Sequence, residues 1–404
     1  MSALLAAAAA LAALAWGLAL WRRRGLLVRL WREPVLARPV LAVESDDWGP
    51  GGEAEAAALR ALAATLATVQ DAEGRPALAA IGLCLARPAP STPQHYRRTR
   101  LDDPAQAVVL EALREGERRG VFALQLHGME HLRPASVLAA AGRDPALRAW
   151  LEDPDPEALP PPLQSRWVDG ALLPTRALPA DEVAAMAAEE TAAFAAVLGR
   201  PAVVAVPPTF VWTEAVEQAW AACGVRVIVT PGVRHEGRGA DGAPLAGPRI
   251  LNGEEAAGGA RYLVRDVYFE PARGHRVEEA LAAVAARVTE GRPALVESHR
   301  FNYLGPDASR HRGALAELLR RAAAELPGLR FVAPETLAAA YARPEASDLF
   351  TRSRRRRIAA CCARIRREPA LRRLLGPAAV AVRILDLARR LAAPADAPRT
   401  AHAR

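Results

Sequence analysis

The chain has 404 residues, 51% hydrophobic and 24% charged, values that exclude a wholly disordered protein and leave room for one large domain or two ordinary ones. Its four cysteines, two of them the adjacent Cys361 and Cys362, build neither a disulfide framework nor a Cys-x-x-Cys zinc site. All 53 basic residues are arginine and unevenly spread: residues 1–38 carry a net +5 and 352–404 a net +12, leaving −9 on the body between, which argues against the basic groove of a nucleic-acid enzyme.

The first element in chain order is an uncharged run, Ala3–Trp21, stopped by Arg22, Arg23 and Arg24. As a helix its 19 residues span about 28 Å, enough for a bilayer core. Residues 1–24 are therefore expected to form an uncleaved transmembrane anchor, with an Ala-rich helix in water as the rival reading. The arginines behind the run place the following body in the cytoplasm by the positive-inside bias.

Between residues 38 and 345, short apolar runs alternate with helical patterns. Strands are expected at Val40–Val43, Leu78–Leu85, Val121–Leu126, Val203–Val206, Val225–Val229, Tyr262–Phe269, Ala294–Val296 and Leu329–Val332. The intervening helices include Glu53–Val69, Ala105–Arg119, Asp181–Leu198, Thr213–Cys223, Glu278–Thr289 and Gly313–Leu326. Seven or eight such units point to an α/β fold, a (β/α) barrel rather than an open sheet. Two long connections, Leu132–Pro179 (with Trp150 and Trp167) and the Gly-rich Pro231–Ala260, follow strands and are expected to overhang the C-terminal face as lids or binding loops. Residues 346–404 form a basic tail with Ile358, Ile365, Leu371 and further apolar residues set among arginines. It reads equally as a helical membrane-surface contact or as a solvated tail.

Three clusters each come directly after an expected strand: Glu44-Ser45-Asp46-Asp47-Trp48-Gly49, His127-Gly128-Met129-Glu130-His131 and Glu297-Ser298-His299-Arg300. Strand ends converge at one face of a barrel, so the three can meet in space. The spacing of His127 and His131 puts both imidazoles on one face of a helical turn, where they could share a cation or form a capping or core pair. Adjacent carboxylates leaving a strand point in different directions, so one of Asp46 and Asp47 can bind metal while the other faces substrate. Two imidazoles and one carboxylate leave positions open on a zinc-like ion, the pattern of a hydrolytic site. Asp102-Asp103-Pro104, by contrast, precedes a helix and needs only a cap.

The ordered set SDDWG, HGMEH, VPPTF and SHR, closing with LRFVAPETL, resembles the polysaccharide deacetylase superfamily. These are metal-dependent carbohydrate esterases on a distorted (β/α) barrel, and the likeness spans about residues 38–342. The resemblance implies Asp46 as catalytic base, His299 as catalytic acid, and Asp47, His127 and His131 as ligands of a divalent metal, zinc first, with cobalt, nickel or manganese as alternatives. It also implies an acetylated carbohydrate as substrate and, for relatives of this type, work outside the cytoplasm, against the arginine argument. The sequence departs from the family in three places. Val206 stands where the family carries an arginine that steadies the base, Thr209-Phe210 replace tyrosine-glycine, and the Asp-x-x-Asp-Trp motif has no match. Asp266 or Glu270 is the nearest candidate to orient His299.

Among other residues, Trp48, Trp150, Trp167 and Trp212 are candidates to stack on sugar rings. Pro208 and Thr209 are candidates to flank the substrate, with an oxyanion donor expected near Thr209. Glu297 is expected to pair with Arg300 or Arg265 or to orient the site. His235 reads as a loop histidine and His311 as surface. Two further readings stand beside deacetylation: a metal-dependent amidase acting on a non-carbohydrate C–N bond, and a catalytically silent glycan-binding barrel at a membrane.

Overall fold

The computed structural model describes residues 14–372 and residue 374. Residues 33–353 form one compact unit, and the described residues outside that range belong to a second.

In the second unit, residues 14–22 are helical, and a turn at Arg23 leads into α1 (Arg24–Arg32), which carries three arginines in RGLLVRLWR. Among the described residues no helix is long and apolar enough to cross a membrane. This overturns the single-pass anchor expected over residues 1–24, and with it the membrane localisation and the topology read from the arginines. The physical reason is length: the described helix of that run covers residues 14–22 and ends with Arg22, too short to span a bilayer core. Residues 1–13 of that run lie outside the described residues.

The body begins at β1 (Val40–Trp48), whose residues are buried except the half-buried Asp47. Burial on both faces is what a central parallel strand requires, and the sequence VLAV supplies it. The chain continues through α2 (Gly52–Ala67), β2 (Ala79–Leu83), a hairpin of β3 (Ala86–Thr92) and β4 (His95–Arg100), α3 (Ala107–Arg118) and β5 (Phe122–Leu126). Next come α4 (Pro134–Ala141), α5 (Pro145–Glu152), the short strands β6 (Val168–Asp169) and β7 (Arg176–Ala177), α6 (Ala180–Leu198), β8 (Val204–Ala205), α7 (Glu214–Ala222) and β9 (Val227–Thr230). The remainder is β10 (Arg261–Val264), β11 (Val267–Tyr268), α8 (Val277–Thr289), β12 (Ala294–His299), α9 (Ala308–Glu325), β13 (Arg330–Phe331) and α10 (Pro334–Ala342).

The main sheet runs β10-β9-β8-β5-β2-β1-β12-β11, with β13 also on β1, and every pairing in it is parallel. β10 and β11 lie at opposite ends of this order, yet only Arg265 and Asp266 separate them in the chain. Val264 and Val267 can then be no more than roughly 10 Å apart, so the sheet must curl back on itself as a distorted barrel. That is the (β/α) architecture expected, with the run Tyr262–Phe269 broken into two strands.

The first long connection holds structure of its own. α4 and α5 pack Val137, Leu147, Trp150 and Leu151 with Leu132, Leu159 and Leu163 into a separate buried cluster. Trp150 donates from its indole N–H to the Asp155 carbonyl at 2.7 Å. The β3–β4 hairpin was not legible, because Pro88, Pro90 and Pro93 give its sequence the look of a loop.

In the second unit, α11 (Arg354–Arg367) is the described part of the basic tail, and residues 373 and 375–404 lie outside the described residues. Arg364 donates to the Leu30 carbonyl at 3.0 Å and the Arg357 guanidinium sits 5.2 Å from the Trp31 ring, so α11 packs on α1. Among the described residues no helix of this unit is long and apolar enough to cross a membrane.

Candidate active site

β1 and β12 pair in parallel with Asp46 opposite His299, so two strand ends deliver the two expected catalytic groups side by side. Between Ser45 and Trp48 the register of β1 against β2 shifts, and Asp47 takes a left-handed φ of 69°. Such an irregularity re-aims side chains at a strand end, here bringing both carboxylates to one cavity. Gly82 on β2 makes room for this: a Cβ there would lie 2.1 Å from Asp46 Oδ1.

His127 follows β5, and its Nδ1–H donates to the Val206 carbonyl at 3.0 Å. A carbonyl only accepts, so the proton sits on Nδ1 and the Nε2 lone pair faces the cavity. Residues 127–133 are irregular rather than helical, with Gly128 at φ 103°, so a loop and not a helical turn brings the histidines together. Met129 anchors that loop in the core. The imidazole centroids of His127 and His131 are 5.1 Å apart.

Asp47 Oδ1 lies 3.2 Å from His127 Nε2 and 3.6 Å from His131 Nε2. With bonds near 2.1 Å, neighbouring ligand atoms around a tetrahedral ion are roughly 3.4 Å apart, and the two distances bracket that edge. Asp47 Oδ1 and His127 Nε2 are buried and have no hydrogen-bond partner, a costly arrangement that a cation would relieve. Burial holds the His131 imidazole down to about 4, hence neutral, which is the form that ligates. For His127 burial also works downward, but the carboxylates of Asp46 and Asp47 outweigh it and raise its pKa, attracting a proton to the place a metal ion suits. The buried, unpartnered atoms of Asp47 and His127 therefore suit a divalent ion. Among the described residues, the group whose ligand atoms all lie within 4.8 Å of one another is Asp47, His127 and Cys84; His131 reaches Asp47 but stands outside that group.

Asp46 is fully buried, and its Oδ2 pairs with Arg265 Nη2 at 2.5 Å. Burial pushes its pKa up, but Arg265, helped by His127 and His299, more than offsets this and keeps the carboxylate charged. Arg265 reaches Asp46 from the break between β10 and β11, whereas the resemblance expects an arginine in the VPPTF segment. It also bonds Glu297 through Nε at 3.1 Å, which settles one of the pairings expected for that residue. Arg300 instead lies 3.3 Å from Glu55.

On the other side, Glu270 Oε1 sits 2.5 Å from His299 Nδ1. Burial opposes a charged imidazole, yet the Glu270 hydrogen bond and the nearby carboxylates push His299 up to about 9. Asn302 donates to the other Glu270 oxygen, and His311 donates from Nδ1 to the Asn302 carbonyl at 2.9 Å. His311 is thus buried behind the site rather than at the surface, as its place beside Arg310 and Arg312 had suggested. Asp266 does not take part; it pairs with Arg287 at 2.5 Å.

The cavity between these groups holds about 410 Å³ and is lined by Asp46, Asp47, His127, His131, Thr209 and His299, among others. Of the other substrate candidates, Thr209 lines it, with its hydroxyl 3.0 Å from Ser165 Oγ. Pro208 is buried and is not part of its lining. Trp48 and Trp212 are also fully buried, donating to Ser45 Oγ and to Glu217 Oε1, and Trp167 packs edge-on against Trp220. None of these indoles faces the cavity, because a strand-end or helix-start tryptophan in this fold is core. The aromatic side chains that do line it are Phe210 and Phe301, the latter stacked on His299 at 5.6 Å. His235 bonds the Leu245 carbonyl in its loop.

No protein family and no curated protein matches the sequence. Solved structures similar to the chain include a family 4 carbohydrate esterase from Streptomyces lividans, 12% identical, covering 75% of this chain and 96% of its own, with a TM-score of 0.37. A peptidoglycan deacetylase from Bacillus subtilis is 10% identical over 77% of this chain and 95% of its own, with a TM-score of 0.38. A 4-alpha-glucanotransferase from Thermococcus litoralis is 9% identical over 76% of this chain and 40% of its own, with a TM-score of 0.37. The polysaccharide deacetylases expected from the motifs are thus represented among these structures. The overlaps are loose and include a different activity.

Proposed function

We propose that the chain is a metal-dependent hydrolase that removes acetyl groups from a carbohydrate. The observation that carries this reading is the meeting of two buried, unpartnered donors, Asp47 Oδ1 and His127 Nε2, beside a charged buried base and across from a protonated imidazole. Asp47, His127 and His131 would hold a divalent ion, zinc first, which when bound supplies a water of lowered pKa and polarises the acetyl carbonyl.

The chain's own residues then divide the proton chemistry. Asp46 accepts a proton from the attacking water at Oδ1, since Oδ2 is occupied by Arg265. Arg265 keeps Asp46 ionised and fixed in direction. His299 carries a proton on Nε2 toward the cavity while Glu270 holds Nδ1, so it can protonate the departing amine or alkoxide. Near Thr209 the Phe210 and Val211 amides are taken by carbonyls of Pro207 and Pro208, which leaves the Thr209 N–H as the oxyanion donor of that turn. The cavity volume falls within the roughly 300–1,000 Å³ of ligand pockets and suits a sugar unit.

The test is acetate release from acetylated amino-sugar oligomers by the full chain. Release should stop with chelator and return with zinc or cobalt. Acetate release that persists after complete metal removal would overturn the reading.

A further inference from the structure

Cys84 is the residue immediately after β2, and β2 lies between β1 and β5 in the sheet. The strand end that carries Cys84 is therefore flanked on one side by the end that carries Asp47 and on the other by the end that carries His127. Backbone bonds fix this placement: the Cys84 N–H donates to the Trp48 carbonyl at 2.8 Å, and the His127 N–H donates to the Leu83 carbonyl at 2.9 Å. The register leaves so little room that a Cβ at Gly49 would meet the Cys84 carbonyl oxygen at 2.2 Å. As a result the Cys84 sulfur, Asp47 oxygen and His127 nitrogen all lie within 4.8 Å of one another. Each of these two residues carries a buried atom without a hydrogen bond, Asp47 Oδ1 and His127 Nε2, and His127 is only 2% exposed.

We propose that Cys84 is an additional protein ligand of the metal ion, beside Asp47 and His127. This rests on the metal-hydrolase reading above and extends it to the identity of the ion. Binding through Sγ breaks the S–H bond, and the proton leaves to solvent while the sulfur lone pair forms the bond to the ion. A soft thiolate in the set selects zinc and cobalt against manganese and magnesium, which favour oxygen donors.

Cobalt titrated into the metal-free full chain tests this by absorption. Wild type should show visible d–d bands together with a near-ultraviolet thiolate-to-cobalt charge-transfer band at one equivalent. Cys84→Ser, which keeps Cys223, Cys361 and Cys362, should retain the d–d bands and lose the charge-transfer band. Its preference for zinc over manganese, measured by competition, should fall by at least about tenfold, the lower end of what loss of a supporting group costs a metal site. Bound cobalt without the near-ultraviolet band in wild type would overturn the proposal and leave the hydrolase reading standing. No cobalt bound at all would overturn both. Should Cys84→Ser fail to fold, Cys84→Ala and the wild-type spectrum decide the matter.

Discussion

Replacing Glu270 by Gln keeps the shape and the acceptor at His299 Nδ1 but removes a charge that touches the ring at 2.5 Å. Opposite charges centred about 4 Å apart at an effective dielectric near 20 interact by roughly 4 kcal/mol, equivalent to a displacement of up to about 3 pH. That agrees with an imidazole raised from 6.5 to about 9. In the proposed acid role His299 must be protonated, so turnover is expected below its pKa and lost as pH rises through it. The alkaline limb of kcat should therefore stand near pH 9 in the wild type, somewhat lower with a cation bound, and should fall toward 6.5 in Glu270→Gln. The kcat–pH profile on an acetylated amino-sugar oligomer measures this, and nitrogen-15 NMR titration of His299 in the metal-free chain reads the same group without turnover. An alkaline limb and a His299 titration both unmoved by the substitution would refute the role given to Glu270.

Arg265→Met strands the buried Asp46 and Glu297, and breaking a buried pair in this way costs about 3–5 kcal/mol, measurable by urea denaturation near neutral pH. The acid limb of kcat should also move up as Asp46 loses the cation that holds its pKa down. Gly82→Ala forces Asp46 Oδ1 away from a Cβ at 2.1 Å, so turnover should drop by on the order of a hundredfold or more while zinc stoichiometry is kept. Asp46→Asn should likewise retain metal and lose roughly 10²–10⁴ in kcat, as expected for a general base. His131→Ala should instead weaken zinc binding by at least about tenfold, read by calorimetry.

The parts of the site that were legible in the sequence are those delivered by strand ends. Asp46, Asp47, His127 and His299 each close an apolar run, and a barrel brings such positions together whatever their separation in the chain. Glu270 was nearest in sequence to a missing motif and lies on His299. Arg265 was harder to place, because the run Tyr262–Phe269 reads as one strand. Only the break between β10 and β11 turns its guanidinium onto Asp46. A charged residue inside an apolar strand was the available signal. Cys84 follows β2 directly and Asp46 lies near the end of β1, but a small apolar residue after an apolar run looks like core until a carboxylate and an imidazole lie beside it. The tryptophans failed as sugar platforms for the opposite reason. Trp48 and Trp212 sit beside site residues in sequence, yet their indoles turn into the core, where Ser45 and Glu217 take their N–H groups. At the N-terminus hydrophobic length alone suggested an anchor, and among the described residues no helix is long and apolar enough to cross a membrane.

The most direct test of the account is anomalous diffraction at the zinc edge from a crystal of the full chain soaked in zinc. The account predicts one strong peak about 2.0–2.2 Å from Asp47 Oδ1 and from Nε2 of both His127 and His131. A peak elsewhere, or those three side chains left too far apart to share an ion, would contradict it.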